Sequence, residues 1–212
     1  MRIVYACDDN YASLTAISAV SLLRHNNCAE IILIGCKLKQ ESINIVKKRV
    51  ESNGGKFTYV DVTAKIEELR SIGTSSYVSY AVYSRIFIAE LLPDTHGKVL
   101  YLDCDTLVVD SIADVFKTSI YGAPLALAPD ATHPAYKKVI SLPPDKPYYN
   151  TGVALIDLDE WRKRKCTERL MEEIRNPHGK NPLGDQDLIV RVLNEEIIEL
   201  DRKWNFLCCI DG

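Results

Sequence analysis

Val99-Leu100-Tyr101-Leu102-Asp103-Cys104-Asp105-Thr106-Leu107 opens with four apolar residues and runs into two acids spaced i, i+2. A short run with no polar position suits a strand buried on both faces of a sheet, the hallmark of α/β layers. Side chains alternate along extended chain, so Asp103 and Asp105 point the same way and Cys104 points away. Open α/β sheets hold their ligands at the carboxyl ends of strands. Two carboxylates converging there make a hard-oxygen site suited to Mg²⁺ or Mn²⁺. An isolated Asp-x-Asp more often marks a capped turn with one solvated acid, so the surrounding chain has to decide.

Toward the N-terminus the pattern is regular. Arg2 to Cys7 reads as a strand, broken by Asp8-Asp9-Asn10, and a helix follows from Tyr11 to His25. On that helix Leu14, Ile17 and Val20 share a face, and Ala12, Ala16 and Ala19 permit close approach to a sheet. Ile31 to Cys36 is a second strand. Lys39 to Ser52 is an amphipathic helix with Ile43, Val46 and Val50 inward, ended by Gly54-Gly55. Lys56 to Val60 is a third strand. This β-α-β-α-β alternation predicts a parallel sheet with crossover helices.

The remainder is less regular. Gly73-Thr74-Ser75-Ser76 predicts a mobile loop over Glu67 to Ser79, and Tyr80 to Leu92 has helical spacing up to Pro93. Beyond the Asp-x-Asp strand come a helical turn at Ala113 to Phe116 and an apolar strand, Ala123 to Ala128, leading to Asp130. Pro134, Pro143, Pro144 and Pro147 oppose regular structure between Thr132 and Tyr148. Gly152 to Leu158 reads as a strand, Asp159 to Ile174 and Gly184 to Leu193 as helices, and Glu196 to Leu200 as a last strand.

The length of 212 residues suits one domain over the whole chain. A net charge of -3 gives no electrostatic footprint for nucleic acid. No apolar run approaches the ~20 residues of a transmembrane helix. The start, Met1-Arg2-Ile3-Val4-Tyr5, does not read as a signal peptide. The seven cysteines have no C-x-x-C spacing, and Cys208 and Cys209 are adjacent, which reads as reduced thiols in a cytoplasmic protein.

The chain lacks a G-x-G-x-x-G after its first strand, a P-loop and a G-x-S-x-G elbow, so dinucleotide, P-loop and hydrolase-elbow chemistry lose their support. Three stretches remain beside Asp103 and Asp105. Ala6-Cys7-Asp8-Asp9-Asn10-Tyr11 lies at the carboxyl end of the first strand; Tyr11 can stack on a base and a carboxylate can accept a base N–H, or the acids merely cap the helix. Tyr148-Tyr149-Asn150-Thr151-Gly152-Val153 offers hydrogen bonds to sugar hydroxyls, or forms an Asx-turn entering a strand. Leu183-Gly184-Asp185-Gln186-Asp187 puts two acids around an amide at a helix start, which macrodipole chemistry alone explains equally.

As an ordered set, Asp8-x-Asn10-Tyr11, Tyr83-x-Arg85, Leu102-Asp103-x-Asp105, Asn150-x-Gly152-Val153 and Gly184-Asp185-Gln186-Asp187 resemble the family-8 retaining glycosyltransferases from Ile3 to about Phe206. The resemblance implies a GT-A fold, Rossmann-like with a central, mainly parallel sheet. It implies transfer of a hexose, glucose or galactose, from a UDP-sugar to a glycan or lipid-linked glycan acceptor. Asp8, Asn10 and Tyr11 would hold the uridine, and Arg85 would reach the phosphates or sugar. Asp103 and Asp105, with Cys104 between them, would hold Mn²⁺ or Mg²⁺ on the diphosphate. Asp130 would face sugar or acceptor, Asn150 and Thr151 would contact the sugar, and Asp185 and Gln186 would sit by the anomeric carbon. Family members continue to a His-x-x-Gly-x-x-Lys-Pro-Trp segment that supplies a third metal ligand. This sequence ends at Cys209-Ile210-Asp211-Gly212, and His25, His96, His133 and His178 lack that context, so weak transfer is expected. The alternatives are a UDP-sugar-binding module of little or no activity, a self-glucosylating protein whose acceptor would be one of the eleven tyrosines, none of them marked by a motif, and a GT-A-like nucleotidyltransferase. The last would carry a Gly-rich basic loop where Asp8-Asp9-Asn10 stands. An acceptor on a cell-surface glycan would suit a cytoplasmic enzyme with peripheral membrane association.

Overall fold

The structure is a computed structural model that describes residues 1–27, 29–72 and 80–207. In chain order it runs β1 (Arg2–Asp8), α1 (Ala12–His25), β2 (Glu30–Cys36), α2 (Gln40–Ser52), β3 (Lys56–Asp61) and α3 (Thr63–Ile72). A 3-10 segment, Tyr80–Phe87, leads into α4 (Ile88–Leu91) and β4 (Lys98–Leu102). Then come β5 (Leu125–Pro129), α5 (Pro134–Val139), β6 (Tyr149–Asp157), α6 (Leu158–Lys163), α7 (Cys166–Arg175), α8 (Asp185–Leu193) and β7 (Ile197–Glu199). The strands form one sheet of order β3-β2-β1-β4-β6-β5-β7. β1, β2, β3 and β4 are mutually parallel, β7 is parallel to β5, and β6 alone runs against its neighbours β4 and β5.

Both faces of the sheet are covered, which is why the strands read as unbroken apolar runs. Tyr101 and Val99 belong to one core with Tyr83, Phe87 and Trp161. Leu100 and Leu102 belong to the other, with Ala12, Ala16, Ala19 and Leu22 of α1. On α1 the alanine stripe faces the sheet, while Leu14 and Ile17 are exposed. The small residues let the helix approach the sheet closely, and Leu22 and Leu23 fill the space beside them. On α2, Ile43, Val46 and Val50 are buried as the 3.6-residue period requires, each contributing roughly 1.5–3 kcal/mol by leaving water.

Several expectations need correction. Glu67 to Ile72 belong to α3 and not to the expected loop, whose remaining residues 73–79 lie outside the described residues. The proline-rich stretch contains α5, because Pro134 occupies the first helical turn, where its missing N–H costs nothing, and His133 caps it. The single helix expected over Asp159 to Ile174 is two, broken at Lys165, whose φ of 54° is left-handed. β6 starts at Tyr149 rather than Gly152, so Asn150 and Thr151 lie within the strand.

Two contacts fix the segment that carries Arg85. Trp161 donates its ring N–H to Thr167 Oγ1 at 3.0 Å, and that hydroxyl donates to the Ile86 carbonyl at 2.7 Å. Arg162 donates to the carbonyls of Ala89, Leu92 and Thr95, closing the C-terminal end of α4.

Candidate active site

The strand directions dictate where polar groups gather. β1, β4 and β5 end at one edge of the sheet. Because β6 is reversed, its first residues lie at that same edge. At this edge a cleft of about 510 Å³ is lined by Ala6, Cys7, Asp8, Tyr11, Val82, Arg85, Tyr101, Asp103, Cys104, Asp105, Asp130, Asn150, Thr151, Leu183, Asp185 and Gln186. Every residue to which the resemblance gives a role lies here except Asn10. Asn10 sits exposed on the turn and gives its backbone N–H to Asp8 Oδ1 at 3.0 Å. Its neighbour Asp9 accepts from Lys39 N at 3.0 Å, tying the turn to the start of α2. A larger groove of about 630 Å³ on α1 and α2 contains Ile17, Val20, Ile45 and Leu107 but no carboxylate, so it offers no comparable chemistry.

Alternation along β4 sets the floor. Tyr101 faces the 3-10 segment and Leu102 the other way. The strand then ends, and Asp103 to Thr106 form a turn rather than the expected extended Asp-x-Asp, closed by Thr106 N on the Asp103 carbonyl at 3.2 Å, with Cys104 Sγ 3.1 Å from the Ala6 carbonyl. Arg85 lies over the Tyr101 ring, its guanidinium carbon 4.2 Å from the centroid, and donates to Asp103 Oδ1 at 3.1 Å. Its Nε lies 2.9 Å from Asp185 Oδ2, and its Nη1 donates to the Thr151 carbonyl. Arg85 and Asp185 have side chains only 5% and 3% exposed, so this is a buried ion pair whose partners depend on each other. Burial pushes the Asp185 carboxyl up to about 7, with the Arg85 guanidinium pulling the other way. Burial likewise pushes Asp130 up, against hydrogen bonding from Asn150.

A bulge in β6 shapes the middle of the cleft. β5 pairs Leu127 with Ala154 but Ala128 with Asn150, so Thr151, Gly152 and Val153 bow out from β5. The Gly152 carbonyl accepts from Asp103 N at 2.8 Å, and a Cβ at Gly152 would lie 2.9 Å from both Asp103 Oδ2 and Asn150 Oδ1. Only glycine lets β6 pass this close to the Asp103 carboxylate. Asn150 Oδ1 accepts from Gly152 N and from Asn205 Nδ2, each at 2.8 Å.

The far wall is the start of α8, entered through Gly184 at φ 64°, a left-handed backbone that glycine adopts freely. Gln186 Oε1 accepts from Thr151 N at 3.2 Å, and its Nε2 donates to the Tyr148 hydroxyl at 2.9 Å. Sequence reasoning gave Tyr101, Tyr148 and Asp187 no role, although each sits inside a quoted motif. Tyr136, which contacts Asp187, is 51 residues away in sequence and carries no local signal.

Among the described residues, no group of three or more His, Cys, Asp or Glu converges to hold a metal. The donor set in the cleft is the Asp103 and Asp105 carboxylates, with Asp103 Oδ1 shared with Arg85 and Asp105 exposed beside it. That set fits a Mg²⁺ or Mn²⁺ ion completed by substrate phosphates and water, rather than an all-protein cage. None of the four histidines lines the cleft. No helix among the described residues is long and apolar enough to cross a membrane.

This arrangement has counterparts. The chain is 31% identical to General stress protein A of Bacillus subtilis, over 97% of this chain and 73% of that protein. It is 25% identical to lipopolysaccharide 1,2-glucosyltransferase of Escherichia coli, over 99% of this chain and 63% of that one. It spans 73% of the length of General stress protein A but 28% of that of the glycosyltransferase GlyA of Streptococcus pneumoniae. Its fold superposes on the galactosyltransferase LgtC, solved with donor and acceptor sugar analogs, with a TM-score of 0.85 and 25% identity, covering 96% of this chain and 74% of that one. The model of Glycosyl transferase family 8 matches residues 2–211, and the chain belongs to that family.

Proposed function

We propose that this chain transfers a hexose from a UDP-sugar to a glycan or lipid-linked glycan, with retention of anomeric configuration. The observation that carries the reading is Arg85, one buried cation that contacts both Asp103 on the diphosphate side and Asp185 on the sugar side of a single cleft. In this reading Tyr11, 46% exposed at the rim, stacks on the uracil, and Asp8 accepts a base N–H. Asp103 and Asp105 hold Mn²⁺ or Mg²⁺, which when bound supplies charge stabilisation for the departing diphosphate. Asn150 and Thr151 take sugar hydroxyls.

Gln186 is a poor nucleophile, because an amide oxygen is weakly basic, which favours attack by the acceptor on the face the diphosphate leaves. The acceptor oxygen bonds to the anomeric carbon as the carbon–oxygen bond to UDP breaks. The electron pair leaves with UDP, and the acceptor proton passes to the departing phosphate oxygen. Gln186 and Asp185 orient the sugar, and Asp130 orients the acceptor. The Escherichia coli relative's name, a lipopolysaccharide glucosyltransferase, supports a surface-glycan acceptor, which would suit a cytoplasmic protein at the membrane face. A second reading, a UDP-sugar-binding module of low activity, is favoured by the want of a third metal-ligating side chain among the described residues.

The test is UDP release from a panel of UDP-sugars with Mn²⁺. Release from UDP-glucose or UDP-galactose, lost in Gln186→Ala while UDP still binds, is the expected result. UDP binding without release from any donor favours the binding module. Pyrophosphate release from UTP and a sugar 1-phosphate would make the chain a nucleotidyltransferase.

A further inference from the structure

Asp187 is fully buried at the start of α8 and does not line the cleft. Its Oδ1 accepts from the Tyr148 hydroxyl at 2.7 Å. Its Oδ2 accepts from Leu183 N at 2.7 Å and from the Tyr136 hydroxyl at 2.9 Å. The two rings meet edge to face at 81°, with centroids 5.9 Å apart. Three donors occupy this carboxylate, and its full burial outside the cleft keeps it from a sugar.

The consequence lies one bond further on. A glutamine amide has a donor end and an acceptor end, which exchange when the group turns over. Tyr148 gives its single proton to a carboxylate that has none to return, so its oxygen can only accept from Gln186. The 2.9 Å contact therefore requires the Nε2 end of Gln186 at Tyr148. That leaves Oε1 toward Thr151, where the backbone N–H meets it at 3.2 Å. Burial holds both tyrosine hydroxyls in their protonated form by pushing them up.

We propose that Asp187 and Tyr148 are positioning residues, a buried relay of hydrogen-bond polarity that acts with the Thr151 N–H and hydroxyl to hold Gln186 with Nε2 toward Tyr148 and Oε1 toward Thr151. The inference rests on the reading that Gln186 sits beside the anomeric carbon. It assigns Asp187 an anchoring role and not that of a nucleophile.

Tyr136 supplies the control, because it gives the same hydrogen bond to the same carboxylate without touching Gln186. With UDP-glucose and UDP-galactose as donors and Mn²⁺ present, Tyr148→Phe should lower kcat roughly ten-fold, the worth of one oriented hydrogen bond. Donor KM and UDP affinity should stay within about two-fold. Tyr136→Phe should lose comparable thermal stability with kcat nearly intact. Asp187→Asn, whose amide can donate to Tyr148 and let the relay reverse, should lower kcat as Tyr148→Phe does. Tyr148→Phe added to Gln186→Ala should cost nothing further. Equal kcat losses in the two tyrosine variants, or normal kcat in folded Asp187→Asn, would overturn the relay. Normal kcat in Gln186→Ala would instead overturn the reading of the site on which the relay depends.

Discussion

Replacing Arg85 by methionine removes the buried cation and leaves its partners in place. Methionine reproduces the side chain only as far as the Nε position, so the change removes the charged head together with its stacking on Tyr101. In the wild type, burial pushes the folded-state pKa of Asp185 up to about 7, from an ordinary carboxyl value of about 4. A carboxyl raised in the folded state binds more protons folded than unfolded, so its contribution to stability falls as pH rises from about 4 to about 7 and then levels. Without Arg85 the folded pKa climbs further, and stability goes on falling above pH 7. The gap between variant and wild type therefore opens on the alkaline side. At pH 5.5 it should reflect the Thr151 carbonyl, Asp103 and Tyr101 contacts alone, about 1–3 kcal/mol. Between pH 7 and 8.5 it should grow by about 2 kcal/mol, at 1.36 kcal/mol per pH unit. The total of about 3–5 kcal/mol is what breaking a buried pair costs. Urea denaturation at the two pH values measures it, and Asp185→Asn added to Arg85→Met should recover the alkaline part. An equal destabilisation at pH 5.5 and 8.5 would refute the reasoning, since Asp185 would then not be an ionisable partner of Arg85.

Gly152→Ala should displace the Asp103 carboxylate and weaken Mn²⁺-dependent UDP binding while leaving the fold intact; circular dichroism beside a UDP titration checks both halves, and unchanged affinity would mean that β6 yields instead. Tyr11→Ala should weaken UDP binding by roughly 1–3 kcal/mol, the worth of one aromatic stack on a base, with little effect on the melting temperature. Lys165→Gly, which relieves a left-handed backbone at φ 54°, should raise the melting temperature by about 2–4 °C with no change in UDP release. A drop in melting temperature would show that the entropy of the unfolded glycine outweighs the strain.

The first three strands and two helices were legible because helix and strand periods alternate cleanly there. Asp103 and Asp105 were legible because an apolar run stops on them. The reversal of β6 was not, since an apolar run reads the same in either direction and only pairing with β4 and β5 decides. Nor was the bulge that brings Gly152 against Asp103, which is a register event between strands far apart in sequence. On α1 the alanines that permit close approach to the sheet were legible, and they are buried while Leu14 and Ile17 are exposed. In the cleft, the residues that meet the solvent-facing space announced themselves in short motifs. Those that hold them in place, Tyr136 and Asn205 above all, act across long sequence separations through single hydrogen bonds and leave no local pattern.

The central claim is that Asp103 and Asp105 hold the diphosphate of a UDP-sugar through a divalent cation. Calorimetric titration of UDP into this chain, with Mn²⁺ and again after chelation, tests it most directly. The account predicts at least a ten-fold weaker affinity without the ion, about 1.4 kcal/mol or more, and no dependence on Mn²⁺ in Asp105→Ala. Equal UDP affinity with and without Mn²⁺ in the unaltered protein would contradict it.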